Sequence, residues 1–185
     1  MFSKAAKKGA HVYSIDHSRG GDLRFVNYCV GWSISYEDIV KLGDKEFMYS
    51  RYDTLDGKVA IEGPQWMIGE KDLIRKVITK EKKLGNRLDF FFCDTGEYCG
   101  LAEWRIVCNE IVDGGFFAAH DIFYPKSIKS FKILCELLCS PQWRIIELST
   151  ESKQGLVIAQ KQPQADVASV LQDLNKHSDV GIKEN

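Results

Sequence analysis

The stretch Leu88-Asp-Phe-Phe-Phe-Cys-Asp94 is an almost unbroken apolar run that ends on an acid. Such a run is expected of a parallel strand that is covered on both of its faces. Apolar residues recur at helical spacing over 70–84, before this run, and over 99–112, after it. A further buried strand is predicted at 116–119, after the turn Asp113-Gly-Gly115. Strands that alternate with helices predict an α/β fold.

The same patterns extend toward both ends of the chain. Additional strands are predicted at 11–15, 23–31, 58–62, 143–148 and 156–160. Additional helices are predicted at 2–8, at 36–42 behind the capping residue Ser35, and at 128–138. The last two strands are expected to pair in antiparallel fashion around Gly155. The predicted architecture is a Rossmann-like three-layer sandwich, mostly parallel, with an antiparallel C-terminal hairpin.

The C-terminal tail, residues 163–185, is polar. The spacing of Val167, Val170, Leu171 and Leu174 nevertheless allows a short docked helix.

The 185 residues are 44% apolar and 28% charged with a net charge of −1, which is typical of one soluble domain. No apolar run is long enough to span a bilayer, and the N-terminus has no secretory h-region. We therefore expect a cytoplasmic protein that binds neither membranes nor nucleic acid.

The cysteine pattern also indicates a reducing compartment. None of the six cysteines forms a CxxC pair, so the common zinc and thioredoxin spacings are absent from the sequence. We expect free, mostly buried thiols, because a chain of this size does not need disulfides. Cys135 and Cys139 lie four residues apart on a predicted helix, where they can face one partner.

Polar side chains follow three of the predicted strands where each strand ends. These are Asp16-His17, Asp94 and His120-Asp121. In open α/β sheets ligands bind beyond the carboxyl ends of the strands, and an acid after an early strand can accept both ribose hydroxyls. Two carboxylates and an imidazole can hold a hard divalent cation, or they can position a hydroxyl for proton removal. Each acid taken alone is more simply explained as a loop or capping residue.

Three other groups of residues have simpler structural explanations. The phenylalanines at 90–92 and 116–117 are expected in the core, and Lys80-Glu-Lys-Lys83 is expected to be a solvated helix face. Trp32, Tyr36 and Trp66 can form an aromatic wall for a ligand, but packing is the simpler explanation.

Several segments resemble class I S-adenosylmethionine-dependent methyltransferases. Residues 5–18 resemble the first helix and second strand of that family, 88–98 its fourth strand with the acidic end, and 113–122 its fifth strand. The terminal hairpin is similar to the reversed last strand that separates this fold from nicotinamide-binding Rossmann domains. The likeness is greatest in the small-molecule O-methyltransferase branch, and it covers residues 2–18 and 58–162.

The resemblance implies S-adenosylmethionine as the cofactor and a small hydroxylated molecule as the methyl acceptor. The residues that it implies for cofactor binding are Asp16 at the ribose, His17, Gln65 near the adenine, and Asp94. It implies that Asp94, His120 and Asp121 orient the acceptor. It also implies that these three residues are candidate ligands of Mg²⁺. His120, Asp121 and Glu97 are the candidate catalytic residues.

The chain departs from the family's pattern at three places. Asp94-Thr-Gly-Glu97 replaces Asp-Gly-Asp-His, so the second acid is absent or displaced to Glu97. Pro64 stands where an acid often contacts the adenine amino group. No Gly-x-Gly occurs in the chain, although a glycine-rich loop after the first strand lets the backbone approach the cofactor. We expect a methyltransferase-like domain over 1–162 that lacks the first strand, with 19–57 divergent or inserted.

Three functions are compatible with these features. The first is methyl transfer to a small hydroxylated acceptor, with or without help from a metal ion. The second is a non-catalytic relative that acts as a binding or interaction module, which the missing loop favours. The third is a nicotinamide-dependent oxidoreductase, which predicts an all-parallel sheet. The sequence leaves a homodimer open.

Overall fold

The computed structural model describes residues 9–16, 26–43, 55–122, 128–150 and 154–164. These residues form an α/β fold with two sheets, and the chain divides into two compact units. The first unit comprises Met1–Arg87 and Thr95–Ile106, and the second comprises Leu88–Asp94 and Val107–Asn185. The predicted α/β class is therefore confirmed. The predicted helices at 2–8 and in the tail lie outside the described residues, as does His17.

The first unit combines a two-stranded parallel sheet with helices. Its strands are β1 (Val12–Asp16) and β2 (Val26–Val30). Its helices are α1 (Tyr36–Leu42), α2 (Leu55–Glu62), a short 3-10 helix (Pro64–Trp66), α3 (Leu73–Lys83) and α4 (Glu97–Val107), whose last residue is assigned to the second unit. Ser35 caps α1 as predicted, because its hydroxyl accepts a hydrogen bond from the Asp38 amide at 3.2 Å. Strand β2 arises from the segment 19–57 that the resemblance leaves unassigned, and it pairs with β1.

The described residues of the second unit form a four-stranded mixed sheet and include helix α5. Its elements are β3 (Leu88–Cys93), β4 (Ile111–His120), α5 (Ile128–Cys139), β5 (Trp143–Ser149) and β6 (Leu156–Lys161). The strand order is β3-β4-β6-β5. Strands β3 and β4 are parallel, whereas β6 runs antiparallel to both β4 and β5. The predicted antiparallel C-terminal hairpin is therefore confirmed, and α5 packs against β5.

Alternation along the strands decides which aromatic side chains enter the core of this unit. Phe117 is fully buried, with its ring stacked on Phe91 at 6.4 Å and edge-on to Trp143 at 6.5 Å between ring centroids. Phe90 and Phe116, which are paired across the two strands, are exposed together with Phe92. The prediction that all five phenylalanines are core was therefore wrong for these three. A strand presents alternate side chains to opposite faces, and one face of this sheet remains partly accessible.

Two predicted elements differ from the structure. Residues 58–62 lie in helix α2 rather than in a strand. The buried residues Asp56, Val59 and Ala60 are spaced by three and four, so packing of one helical face overrides the local β propensity.

The other difference is at the start of β4. The predicted helix 99–112 ends at Val107, and β4 already begins at Ile111, so that Asp113-Gly-Gly115 lies within the strand. The pairing changes from Leu88↔Ile111 to Phe90↔Phe116, which is a bulge in β4.

All six cysteines are free, as predicted, although only Cys93 and Cys99 are fully buried. Among the described residues, every helix is too short or too polar to cross a membrane.

Candidate functional site

The candidate site lies at the carboxyl ends of the adjacent parallel strands β3 and β4. The last paired residues of the two strands are Cys93 and Ala119. Asp94 follows the first of these and His120 follows the second, so the register itself sets an acid opposite a histidine. Asp121 comes next along the chain. The structure thus brings the polar residues that follow these two strands to the same edge of the sheet.

The three side chains are close enough to contact one ligand. His120 Nδ1 lies 2.9 Å from Asp121 Oδ1 and 3.5 Å from Asp94 Oδ1. One donor atom from each residue lies within 4.8 Å of the other two. The three side chains are between 28% and 53% exposed, so a small molecule or an ion can reach them from solvent.

The backbone at Asp121 has an unusual conformation. Its φ angle is 63°, which is the left-handed region that residues other than glycine rarely adopt. Aspartate tolerates this region better than bulkier residues do, but the conformation still costs about 1 kcal/mol. The turn holds the Asp121 carboxylate beside the imidazole of the preceding residue. Strain of this kind is often found at functional sites, which makes this turn a candidate for one.

The donor set suits a divalent cation. Two carboxylate oxygens are ligands that Mg²⁺ and Mn²⁺ prefer, and an imidazole nitrogen is acceptable to Mn²⁺ and to later transition metals. Three protein donors leave coordination positions for water or for an oxygen of a substrate. The residues present therefore fit an ion that is held only in part by protein.

The same arrangement also suits proton transfer. Both carboxylates approach Nδ1 of His120, which favours the tautomer with the proton on that nitrogen. In that form Nε2 carries a lone pair and can accept a proton from a hydroxyl group. Cation binding and proton abstraction are thus the two chemistries available to this cluster.

The other predicted site residues belong to the first unit. Asp16 ends β1 with an exposed side chain, and its carbonyl accepts a hydrogen bond from the Gly31 amide at 2.8 Å. Gln65 is exposed in the 3-10 helix, where its Nε2 donates to the carbonyl of Glu62 at 2.6 Å. Glu97 is buried at the start of α4. Of the predicted site residues that the structure describes, it thus brings Asp94, His120 and Asp121 together.

A polar cluster around Glu81 was missed by the sequence prediction. Glu81 is buried on α3, where it accepts hydrogen bonds from the Tyr13 hydroxyl and, at 2.6 Å, from Asn86 Nδ2. His11 Nδ1 lies 2.7 Å from the same carboxylate. The bonds from Tyr13 and Asn86, with a smaller effect of His11, lower the pKa of Glu81 to about 2. Burial and the bond to Glu81 raise the pKa of Tyr13.

This cluster corrects the expectation that Lys80-Glu-Lys-Lys83 is only a solvated face. Glu81 lies three residues after Ile78 and four after Val77, so it continues the apolar stripe of the helix. That position was the available signal that the carboxylate faces inward. The helix is thereby joined to β1 by a charged group with several hydrogen bonds.

No protein-family model matches the chain, and a search of curated proteins finds no match.

Proposed function

We propose that the protein transfers a methyl group from S-adenosylmethionine to a small hydroxylated acceptor, aided by a divalent cation at Asp94, His120 and Asp121. The observation that carries this proposal is the convergence of these side chains, with their donor atoms within 4.8 Å of one another at the carboxyl ends of two parallel strands. Ligands of α/β sheets bind at this edge.

The order of the four-stranded sheet supports the finer fold behind this proposal. The resemblance equates β3 with the fourth strand of the family and β4 with the fifth, and it implies a reversed last strand in the terminal hairpin. The observed order β3-β4-β6-β5, in which β6 runs antiparallel to β4, agrees with this expectation.

The antiparallel strand β6 weighs against the oxidoreductase alternative. A nicotinamide-binding domain of the Rossmann type predicts a parallel sheet, whereas β6 runs antiparallel to both of its neighbours. The reversed strand is what the methyltransferase resemblance implies.

The proposed roles of the residues follow from their chemistry. When bound, the cofactor would supply the methyl group and the cation would lower the pKa of the acceptor hydroxyl. Asp94 and Asp121 would hold the positive charge at this edge of the sheet, and the left-handed turn at Asp121 would fix its direction. His120 would contribute its imidazole as a ligand or, in the absence of metal, accept the hydroxyl proton at Nε2. Alignment of the acceptor oxygen with the methyl group would do most of the remaining work.

The second candidate function is binding without catalysis. The chain has no Gly-x-Gly loop, and Gly31, which directly follows β2, packs against the backbone carbonyl of Glu70. A Cβ at this position would collide with that carbonyl, and φ is 147°. The glycine is therefore accounted for by contact with Glu70 rather than by approach of a cofactor. This observation favours a module that binds a ligand or partner at the acidic cluster alone.

Calorimetric titration of the full chain tests both candidates. Under the methyltransferase proposal we expect S-adenosylmethionine to bind in the micromolar range, and Mn²⁺ or Mg²⁺ to bind separately. Asp94→Asn and Asp121→Asn should each weaken cation binding about tenfold or more, because each removes a charged donor. Asp113→Asn is the matched control, since Asp113 is an exposed acid at the other end of β4.

The outcomes separate the candidates clearly. An absence of heat with millimolar S-adenosylmethionine, together with intact cation binding, would exclude the enzyme and leave the binding module. If the cofactor binds, release of S-adenosylhomocysteine in the presence of hydroxylated acceptors measures transfer. Loss of this activity on addition of EDTA identifies the metal route. Activity that survives EDTA but disappears in His120→Gln identifies the imidazole as the base.

A further inference from the structure

One face of the four-stranded sheet keeps three phenylalanines partly exposed, and we call these three residues the phenylalanine face. Phe90 and Phe92 of β3 are 40% and 39% exposed, and Phe116 of β4 is 37% exposed. Phe90 and Phe116 are direct partners in the parallel pairing of the two strands. Phe117, which points to the opposite face, is fully buried. The two sides of this strand pair therefore differ in their access to solvent.

The candidate site lies on the same side of the sheet as the phenylalanine face. Side chains at every second position of a strand point to one side. Asp94 is two residues after Phe92 in this alternation, and His120 is four residues after Phe116. The 3.5 Å distance from His120 Nδ1 to Asp94 Oδ1 agrees with a common side for both residues. An accessible apolar surface thus ends at a group of polar donors.

The strand fixes the length of this surface. Phe90 and Asp94 are four residues apart, which is about 13 Å at the rise of about 3.3 Å per residue of a parallel strand. Carbon–carbon bonds of about 1.52 Å at tetrahedral angles extend a chain by about 1.25 Å each, so about eight to ten carbons cover the same length. A straight apolar surface with polar donors at one end matches a linear aliphatic chain that carries a polar head.

We propose that the phenylalanine face binds the aliphatic chain of an amphiphile whose hydroxyl-bearing head lies at Asp94, His120 and Asp121. The assignment of the head rests on the function proposed above, and it makes the methyl acceptor a medium-chain alcohol of about eight to ten carbons. Binding of the chain itself requires neither the cofactor nor methyl transfer.

The polar end of the surface favours this occupant over a protein element. A helix from a partner or from a second copy is about 10 Å wide with its side chains. Seated along the phenylalanine face, it would cover the candidate site as well and take its partly exposed carboxylates out of water. Burial of carboxylates without compensating partners is costly. An extended hydrocarbon chain is narrower, and its own head group supplies the polar contacts at the site.

Calorimetric titration with n-alkyl hydroxamic acids in the presence of Mn²⁺ tests the proposal on the full chain. Their heads supply oxygen atoms to a cation, and their chains are varied from butyl to tetradecyl below the micelle concentration. We expect affinity to increase about twofold per methylene, because only one side of the chain leaves water, and to level off near decyl. Equal affinity for butyl and decyl chains overturns the proposal. A steady increase up to tetradecyl indicates detergent-like partition and also overturns it.

Variants of the phenylalanine face locate the chain. Phe92→Ser should weaken binding of the decyl compound about fivefold to tenfold and leave that of the butyl compound nearly unchanged. Phe92→Leu keeps an apolar side chain and should keep most of the dependence on chain length. Phe131→Ser is the matched control, because Phe131 is 59% exposed on α5 of the same unit but lies outside the phenylalanine face. An equal loss of decyl affinity in Phe131→Ser and Phe92→Ser would contradict the proposed location.

Asp94→Asn separates the head from the chain. It should weaken binding of every chain length by the same factor, because it removes a charged donor but no apolar surface. A loss that grows with chain length would contradict the assignment of the head. If S-adenosylmethionine does not bind but the dependence on chain length is present, methyl transfer fails and the amphiphile site stands. If methyl transfer occurs with equal affinity for butyl and decyl chains, the proposed function stands and this inference fails.

Discussion

The carboxylate of Asp56 accepts a hydrogen bond from the backbone amide of Tyr98 at 2.8 Å, across 42 positions of sequence. It also approaches the amide of Cys99 at 3.4 Å. Both amides lie in the first turn of α4, where backbone N–H groups have no partner within the helix. A buried acid on α2 thus caps a helix that begins 35 residues after α2 ends.

Replacement of Asp56 should destabilise the protein through this cap. We expect Asp56→Ala to lower the free energy of unfolding by about 1–2 kcal/mol, because the amides of α4 lose their acceptor. Asp56→Asn should cost less, since its side-chain oxygen still accepts a hydrogen bond. Urea denaturation measures both values, with Asp113→Ala as the control on an exposed acid.

A second substitution checks that the contact is the cause. Gly96 packs directly against the Asp56 carboxylate, so a methyl group at Gly96 would collide with it. Gly96→Ala should therefore cost less in the Asp56→Ala background than in the wild type. Strict additivity of the two changes would show that the two residues do not interact.

Glu81 should make stability depend on pH in the acidic range. Its pKa is about 2 in the folded protein against an ordinary value of 4.5, chiefly because Tyr13 and Asn86 donate hydrogen bonds to it. A lowered folded pKa gives stability that is fully present above about 4.5 and is lost as pH falls toward 2. Glu81→Gln should flatten the decline of unfolding free energy in this window.

The hydroxyl of Tyr13 provides a further check on this pH dependence, because it donates a hydrogen bond to the carboxylate. Tyr13→Phe should raise the pKa of Glu81, as followed by carboxyl NMR. Equal slopes for wild type and Glu81→Gln would contradict the assignment.

Arg75 joins α3 to α1 through a forked contact with Asp38. Its Nη2 lies 2.8 Å from Asp38 Oδ1, its Nη1 contacts Oδ2, and Nη1 also reaches Asp72 Oδ1 at 2.9 Å. The guanidinium, assisted by Ser35, lowers the pKa of Asp38. Arg75→Lys keeps the charge but loses the fork, so we expect about 1 kcal/mol of destabilisation, limited by the exposure of Arg75.

The neighbouring pair of Lys76 and Glu70 is the comparison for that effect. Their 2.9 Å contact joins two side chains that are each more than half exposed. Lys76→Gln should change thermal stability by much less than Arg75→Lys. If Arg75→Lys were as stable as the wild type, charge alone, and not the fork, would stabilise α3.

Lys161 should stabilise the entry into β4. Its ammonium donates to the carbonyls of Ile111 at 2.8 Å and Cys108 at 3.0 Å, just after the end of α4. Lys161→Met should lower the free energy of unfolding by about 1–3 kcal/mol, because part-buried carbonyls lose a charged donor. Arg144→Met, at an exposed position on β5, should be nearly neutral in the same urea experiment.

Elements with strong periodicity were predictable from the sequence. Helices α3 and α5 and the strands of the C-terminal hairpin are recovered within a few residues, because their patterns are long and are bounded by Gly85, Pro141 and Gly155. Helix α2 was not predictable, since its run of Val59, Ala60 and Ile61 has β propensity and its helical state depends on tertiary packing.

The site was predictable to the extent that it follows from topology. Two neighbouring parallel strands must end at the same edge, so Asp94 and His120 meet once the strands are recognised. The contacts of Glu81 with His11 and Tyr13 span 70 and 68 positions of sequence, and no local pattern reports such a pairing. The left-handed conformation of Asp121 was equally hidden, because aspartate is common in ordinary turns.

Because of the bulge at the start of β4, insertions or deletions in that part of the strand leave the register at the candidate site unchanged. Pairing there advances two residues along β3 but five along β4, and regular register resumes at Phe90↔Phe116. The position of His120 beside Asp94 depends on that second stretch alone. An insertion or deletion within 112–114 would only change the size of the bulge. One placed between Phe116 and Ala119 would turn every later side chain to the opposite face and disperse the cluster. Natural variation in length at this strand can therefore accumulate on one side of Phe116 without altering the chemistry on the other.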